Sequence, residues 1–455
     1  MSGPSLSIPA KASGAVRILH SADWHLGKTL AGLTREEEHL RWLDFLLSVI
    51  QQSQADVLII AGDVFDSANP PQSAQERYYT FLSRVYQQTS CEVVVIAGNH
   101  DSPAQLEAPK RVLQTLRVRV VGTVSENPED QLIPLPSASS PSVVVAAVPF
   151  LRDRDVRTGQ PGQSAAEIRA EILEGIRARY QQIADAAHRC YPGIPVVATG
   201  HLTIDGARAT DSEREIHIGG LGAVSHEIFS EAFSYVALGH LHVAQQAGGR
   251  ESVRYSGSPF PLSFSEAGDI KELRLIDLRN GQVQHNEAIE IPLQRYLIQL
   301  HSCRADLTQK LSSFNPPTGD LETWVEVVVA DPVAGENLFE VVQEASKDKP
   351  WKVVRVLGQK AQRTPSISSK PESAVESSLL EHPAEVFQIR LQSEEGLSDE
   401  ERSSLTLAFQ ELISLHREKQ REAEETAAAN ATTAKTPGGK KAARSTVAEN
   451  TGAAQ

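Results

Sequence analysis

Cysteine is scarce: Cys91, Cys190 and Cys303 are the only three in 455 residues. Widely spaced and odd in number, they exclude a disulfide framework and a thiolate zinc site. No stretch approaches the ~18 apolar residues of a membrane span. Nor does a charged segment lead into an apolar run near the N-terminus, as a signal peptide requires. The expectation is a cytoplasmic protein with no membrane contact. A basic surplus is missing as well. The formal net charge is −14, which argues against coating nucleic acid by charge alone, since that needs clustered Lys and Arg. An enzyme that meets phosphate through bound cations is still allowed, because the ions carry the local positive charge. The acidity is also uneven. Pro371 to Glu425 holds 14 acidic and 5 basic residues, and the last thirty residues hold four basic and one acidic. Internal repeats are absent.

What is present is an alternation of short apolar runs with helical patterns. The runs are Val16–His20, Asp56–Ala61, Glu92–Ala97, Ser142–Val148, Ile194–Thr199 and Tyr235–Leu238. Most are too short for a helix and rich in β-branched residues, so they read as buried strands. Thr34-Arg35-Glu36-Glu37 has capping-box spacing and leads into Leu40, Leu43, Leu47 and Ile50. Further helices are predicted over Ser73–Gln87, Pro103–Leu116 and Ser164–Ala187. This pattern implies an α/β core of two packed β-sheets flanked by helices.

The chain then divides by composition. Residues 1–14 are small and polar and read as a loose tail. Residues 15–290 form the main domain. Over 291–360, three strand-like runs surround a helix at Glu336–Ser346, which suits a small appended α/β domain. Residues 361–382, rich in Ser, Pro and Glu, read as a linker. Helical patterns occupy 383–425, with Leu405, Phe409 and Leu412 in one stripe. An Ala/Thr/Lys-rich tail, 426–455, reads as disordered.

The chemistry-bearing residues follow the strands. Asp23-Trp24-His25, Gly62-Asp63, Gly98-Asn99-His100-Asp101, Gly200-His201 and Gly239-His240-Leu241-His242 each come after an apolar run. Strand ends in α/β sheets converge on one crevice, so these segments can meet although 220 residues separate them. Carboxylates, an amide oxygen and imidazoles without thiolate favour Mn²⁺, Fe²⁺, Mg²⁺ or Zn²⁺ over a structural zinc. Seven or eight such groups exceed one ion and suit two, ~3.5–4 Å apart and bridged by a carboxylate. That geometry serves phosphate ester hydrolysis. A lone His after a strand is usually a packing or surface residue, with roughly a one-in-ten chance of being a ligand. Five coincidences in one structural context reverse those odds.

These five segments resemble the motifs of the calcineurin-like metallophosphoesterases. HSADWHLGK, AGDVFD, AGNHDSP, ATGHLT, ALGHLH and YSGSPFPLSF are more narrowly similar to the SbcD family of bacterial exonuclease subunits, counterparts of the double-strand-break repair nuclease of archaea and eukaryotes. The resemblance runs from about Val16 to Leu415. It implies a calcineurin-like core with a capping domain at 291–360. It assigns Asp23, His25, Asp63 and His242 to one ion, and Asp63, Asn99, His201 and His240 to the other, with Asp63 bridging. His100 would not ligate but would stand beside the scissile phosphate. Asp66 occupies the place of the carboxylate that orients this histidine. Mn²⁺ is the implied metal, with Mg²⁺ or Fe²⁺ as alternatives. The resemblance further implies a DNA-repair nuclease acting on double-stranded DNA ends and hairpins. Its partner would be an SbcC-type coiled-coil ATPase docked on the helices at 383–425, in a heterotetramer of two nuclease and two ATPase subunits. The missing G-x-x-x-x-G-K-[ST] loop agrees with an ATP site on the partner.

Other features have plainer readings. Tyr255–Pro259 is either part of a DNA path or an ordinary Gly-Ser-Pro turn. Trp24 reads as packing. Arg152 and Arg154 are phosphate contacts or solvated charges. Two rival functions stand beside the nuclease: a phosphatase or cyclic-nucleotide phosphodiesterase, and a catalytically silent scaffold.

Overall fold

A strand buried on both faces must be apolar at successive positions, and the short Val/Ile-rich runs are. In the computed structural model, which describes residues 8–158, 163–213, 222–333, 336–359, 387, 391 and 402–414, they form the middles of two six-stranded sheets. The first runs in the order Gln282–Glu290, Glu272–Arg279, Val16–Ser21, Val57–Ala61, Glu92–Ile96, Val118–Val121. Its last four strands are mutually parallel, and the hairpin 272–290 adds antiparallel to Val16–Ser21. The second runs Gln245–Ala247, Arg250–Tyr255, Phe233–Gly239, Val196–His201, Val143–Ala146, Leu132–Leu135, with a parallel centre.

Alternate residues of each strand serve different layers. Ile18, Val57, Ile59, Val94 and Ile96 point between the sheets, against Val143, Val145, Val197, Tyr235 and Ala237. Leu19, Leu58, Ile60, Val93 and Val95 point outward, under Trp42, Leu46, Tyr78 and Phe81 of helices Glu36–Ser53 and Gln72–Gln88. On the other side, Val144, Ala146, Ala198 and Val236 pack on Ile172, Ile176, Tyr180 and Ile183 of helix Ala165–Cys190. The parallel strands of both sheets end at the same rim of this sandwich, which is what places the functional segments together.

One polar side chain crosses the inter-sheet layer. His20 is fully buried, with Nδ1 3.1 Å from the Tyr235 hydroxyl and Nε2 3.1 Å from the Leu238 carbonyl. A neutral ring satisfies both: Nε2–H donates to the carbonyl and Nδ1 accepts from the hydroxyl. Burial, opposed by the Leu238 bond, lowers its pKa from 6.5 to about 3. An imidazole whose folded pKa is depressed contributes stability that is present above the unfolded pKa and is lost as pH falls toward 3. We expect stability to fall between pH 6 and 4 by about 1.4 kcal/mol per unit from this group. Urea unfolding of wild type and His20→Gln over that range checks it. Equal slopes for the two proteins would remove His20 as the cause.

Several sequence expectations shift. The helix expected from Thr34 begins at Glu36 without a side-chain cap, and Thr34 instead pairs in a two-residue strand with Thr29. Arg35 is turned inward, bonding Glu38 and the Pro261 carbonyl. Leu40 lies on the exposed side of the helix. The single helix expected over Pro103–Leu116 is two, Pro103–Glu107 and Lys110–Thr115, because Pro109 lacks the N–H and obstructs the preceding turn. Residues 8–14 are tied to the core rather than loose. The Pro9 carbonyl accepts from Arg17, Lys11 pairs with Asp56, and Ile8 packs on the core.

Leu297–Cys303, Thr323–Ala330 and Trp351–Gln359 make a separate three-stranded parallel sheet. It is covered by two helices, Leu307–Ser313 and Leu338–Ala345, where one was expected. Arg295 joins it to the main body: its guanidinium bonds Glu38 at 3.1 Å and lies 4.1 Å from the centre of the Trp324 ring. The linker 361–382, the tail 426–455 and most of 383–425 lie outside the described residues. Within the last segment, 402–414 is helical, Phe387 stacks on Phe409 at 3.9 Å, and Glu411 lies 3.8 Å from Arg157.

Candidate metal centre

Asp23, His25, Asp63 and His240 all have positive φ, between 44° and 99°. Non-glycine residues take that conformation rarely, and it clusters where side chains are aimed at a site. Here each lies just past a strand end, so the chain turns sharply and points the side chain along the rim. The turns are held by their neighbours. Asp23 N donates to the Gly62 carbonyl and His25 N to the Asp63 carbonyl. Asp101 Oδ2 accepts from Gly98 N and Val64 N, and Oδ1 from Phe65 N, so this carboxylate braces two strand ends at once.

Glycine lets these turns approach one another. A Cβ on Gly98 would lie 2.1 Å from Asp63 Oδ1 and 2.4 Å from Asp63 N, and one on Gly239 would lie 2.0 Å from the Ala61 carbonyl. We expect Gly98→Ala to displace Asp63 and to weaken divalent-cation binding about 10–100-fold, as loss of an outer support does. Calorimetric titration of the variant checks this; wild-type affinity would show that the strand ends can part without harm.

All the expected residues converge. Asp23, His25, Asp63, His100, His201, His240 and His242 are buried. Their ligand atoms fall into three sets, each within 4.8 Å: Asp23, His25 and His242; His25, Asp63 and His100; Asp63, His201 and His240. The first and last share no residue, and Asp63 stands between them. Its Oδ2 is 3.6 Å from His25 Nε2 and 3.3 Å from His201 Nε2. Asn99 Oδ1 lies 3.0 Å from His201 Nε2 and 3.2 Å from His240 Nδ1, beside the last set.

Hydrogen bonds settle several tautomers. His201 Nδ1–H donates to the Ala61 carbonyl at 2.9 Å, leaving Nε2 to face Asp63. His100 Nδ1–H donates to the Asp66 carbonyl at 2.7 Å, so Nε2 is the ring atom that can exchange a proton. Its main-chain N–H donates to Asp63 Oδ1. Asp66 therefore does hold His100, but through its main chain, where the motif led us to expect the carboxylate. That carboxylate instead lies 3.3 Å from His25 Nδ1 and 3.0 Å from Lys28 Nζ. Because Asp66 follows the turn after Asp63, its carbonyl rather than its side chain reaches the histidine.

The site carries a polar atom that the protein alone leaves unmatched. Asp23 Oδ2 is buried without a hydrogen-bond partner, a costly arrangement unless something binds there, and the two ring nitrogens of the buried His25 face carboxylates, Asp66 at Nδ1 and Asp63 at Nε2. Burial, offset by His201 and His25 and reinforced by Asp63, pushes the Asp23 carboxyl up to about 7. Burial would also raise Asp63, but His201 and His100 outweigh it and hold this carboxyl well below its usual range. Burial alone would lower His201; Asp63 reverses this and raises it to about 9. The same Asp63 charge that favours a proton on His201 would favour a metal cation in its place. Oxygen and nitrogen donors, no thiolate and two separable sets fit two divalent metal ions.

Other singled-out residues separate clearly. Trp24 is buried against Trp42 and Phe81 and donates to Ser21, so it packs. Arg152 is buried and Arg154 exposed. Tyr255–Pro259 lies under the His242 loop: Tyr255 Oη bonds Ile204 N and the Leu202 carbonyl, and Ser258 N donates to the His242 carbonyl. Sequence reading missed Asp101 as a brace, although it ends the GNHD segment. It also missed Ser212, Glu213, Glu266 and Lys271 around His242, for which no local pattern exists.

The calcineurin-like phosphoesterase family matches residues 16–244. The SbcD subunit of nuclease SbcCD from Escherichia coli K12 is 36% identical over 382 residues, covering 84% of this chain and 94% of that protein. The Rhodobacter capsulatus protein of the same name is 41% identical over 296 residues, covering 62% and 70%. The Bacillus subtilis one is 33% identical over 332 residues, covering 72% and 82%. With the dimetal site of histidines and aspartates inside the matched region and a relative aligned over nearly its full length, the chain belongs to the calcineurin-like phosphoesterases and, among them, to the metal-dependent SbcD nucleases.

Proposed function

We propose that this chain hydrolyses DNA phosphodiesters at duplex ends and hairpins with two cations, Mn²⁺ being the metal that its kinship with the SbcD nucleases suggests, with Mg²⁺ or Fe²⁺ as alternatives. Asp23, His25, His242 and Asp63 hold one ion; Asp63, Asn99, His201 and His240 hold the other. The observation that carries this reading is the position of Asp63 Oδ2, which lies with His201 and His240 in one ligand set and reaches His25 of the other, Asp23–His25–His242, at 3.6 Å. When bound, the pair supplies Lewis acidity for in-line attack of water on phosphorus. The protein supplies the rest. The strand-end turns fix the donors in advance, the carbonyls of Ala61 and Asp66 set the tautomers of His201 and His100, and His100 Nε2 gives a proton to the leaving 3′-oxygen.

An SbcC-type ATPase is the proposed partner, following the name of the relatives. The nuclease domain would span 15–290, the capping domain 291–360 and the docking helices 383–425, in an assembly of two subunits of each kind. Among the described residues no helix is long and apolar enough to cross a membrane. The test is cleavage of an end-labelled linear duplex with Mn²⁺ and with EDTA, alone and with the ATPase partner and ATP. Cleavage in Mn²⁺ only is expected. Hydrolysis of an aryl phosphodiester with no cleavage of duplex under any of these conditions would replace the nuclease reading by a small-molecule phosphodiesterase.

A further inference from the structure

Beneath His242 lies a buried polar relay that the reaction does not use directly. Glu266 is fully buried and Lys271 nearly so. Glu266 Oε2 accepts from Lys271 Nζ at 2.5 Å, from Ser258 Oγ at 3.2 Å and from Leu262 N at 3.2 Å. Its other oxygen, Oε1, accepts from Ser212 Oγ and lies 3.2 Å from His242 Nδ1. Ser212 Oγ is itself 2.6 Å from that nitrogen. Lys271 Nζ also donates to the His242 carbonyl at 3.0 Å, and His242 N donates to Glu213 Oε1 at 2.7 Å.

We infer that Glu266, clamped by Lys271 and Ser258, is a positioning residue that sets the ring of His242 and thereby the occupancy of one cation position only. The argument is one of proton inventory. With a carboxylate and a hydroxyl that donates to it both facing Nδ1, that nitrogen must carry the ring's proton, so Nε2 is left as an unprotonated donor toward Asp23 and His25. A carboxylate behind a ligating imidazole also raises its basicity and fixes its plane. The relay touches His242 alone among the proposed ligands, so its loss falls on the Asp23–His25–His242 position and spares the Asp63–His201–His240 one. Lys271 makes it rigid, since an unpaired carboxylate at this depth would be unstable. The Tyr255–Pro259 turn acquires a role here: its Ser258 is the third corner of the clamp.

This inference rests on His242 being a ligand, and the experiment separates the two. Mn²⁺ is titrated into full-length wild type, Glu266→Gln, Ser212→Ala and Ser212→Thr, with binding followed by calorimetry and by electron paramagnetic resonance. Folding is checked by circular dichroism. Wild type is expected to bind two ions and to show the signal of an exchange-coupled pair. Glu266→Gln is expected to keep one ion at wild-type affinity and to bind the other about 10–100-fold more weakly, as outer-shell losses do, giving the spectrum of an isolated ion. Ser212→Ala should shift the same ion by less, and Ser212→Thr should restore it. Two ions at unchanged affinity in a folded Glu266→Gln would overturn the inference, as would equal weakening of both. If Glu266→Gln does not fold, Ser212→Ala decides by the same criteria. A wild type that binds a single ion would overturn the two-cation reading, and this one with it.

Discussion

Replacing Asp63 by asparagine is expected to abolish nuclease activity by at least about 10³-fold, some 4 kcal/mol of transition-state stabilisation. Its Oδ2 lies between the two ligand sets and its Oδ1 anchors the main chain of His100. The asparagine keeps the volume and the bond to His100 N, so packing is preserved while the charge shared by both cations is lost. Both ions should therefore weaken together, unlike the single-ion effect argued for Glu266. Calorimetric stoichiometry and cleavage of labelled duplex read the two consequences. Near-normal cleavage by Asp63→Asn would sink the bridging assignment. The substitution also removes the main force that lifts His201 to about 9. In the metal-free variant the His201 titration should consequently move to lower pH, visible in its ring proton resonances.

The centre was legible in the sequence for a physical reason. In a parallel sheet every strand delivers its next residue to the same rim, so ligands far apart in the chain share one local signature: an apolar run, a glycine and a donor. Asp63 after Val57–Ala61 and His201 at the end of Val196–His201 both obey it. The supports of those ligands have no such signature. Glu266 sits in a short 3₁₀ turn and Lys271 in the connection after it. Nothing in their neighbourhood tells that His242, 24 residues earlier, lies against them. Asp66 shows a subtler failure. The motif points to this residue as the one holding His100, but a sequence cannot tell a side-chain acceptor from a main-chain one. Among the strands, the amphipathic hairpin Glu272–Glu290 escaped because its second strand is largely exposed and lacks the apolar run that marked the others.

His100→Ala is expected to separate chemistry from metal binding. The ring contributes to the set of His25 and Asp63, but in the proposed assignment it belongs to neither ligand set. Its Nδ1–H is committed to the Asp66 carbonyl and its ring stands edge-on to His25, with centroids 4.7 Å apart. A residue so placed can reach a substrate oxygen with Nε2 without closing either ligand set. The variant should keep two cations at near wild-type affinity while turnover of duplex DNA falls about 10²–10⁴-fold, the range of a lost general acid. The leaving group then discriminates between mechanisms. A 3′-alkoxide of deoxyribose needs a proton as it departs, whereas an activated aryl oxide does not. The loss should accordingly be large on DNA and small on an aryl phosphodiester. Equal losses on both substrates would make His100 a charge stabiliser instead of a proton donor, and departure of one cation would make it a ligand.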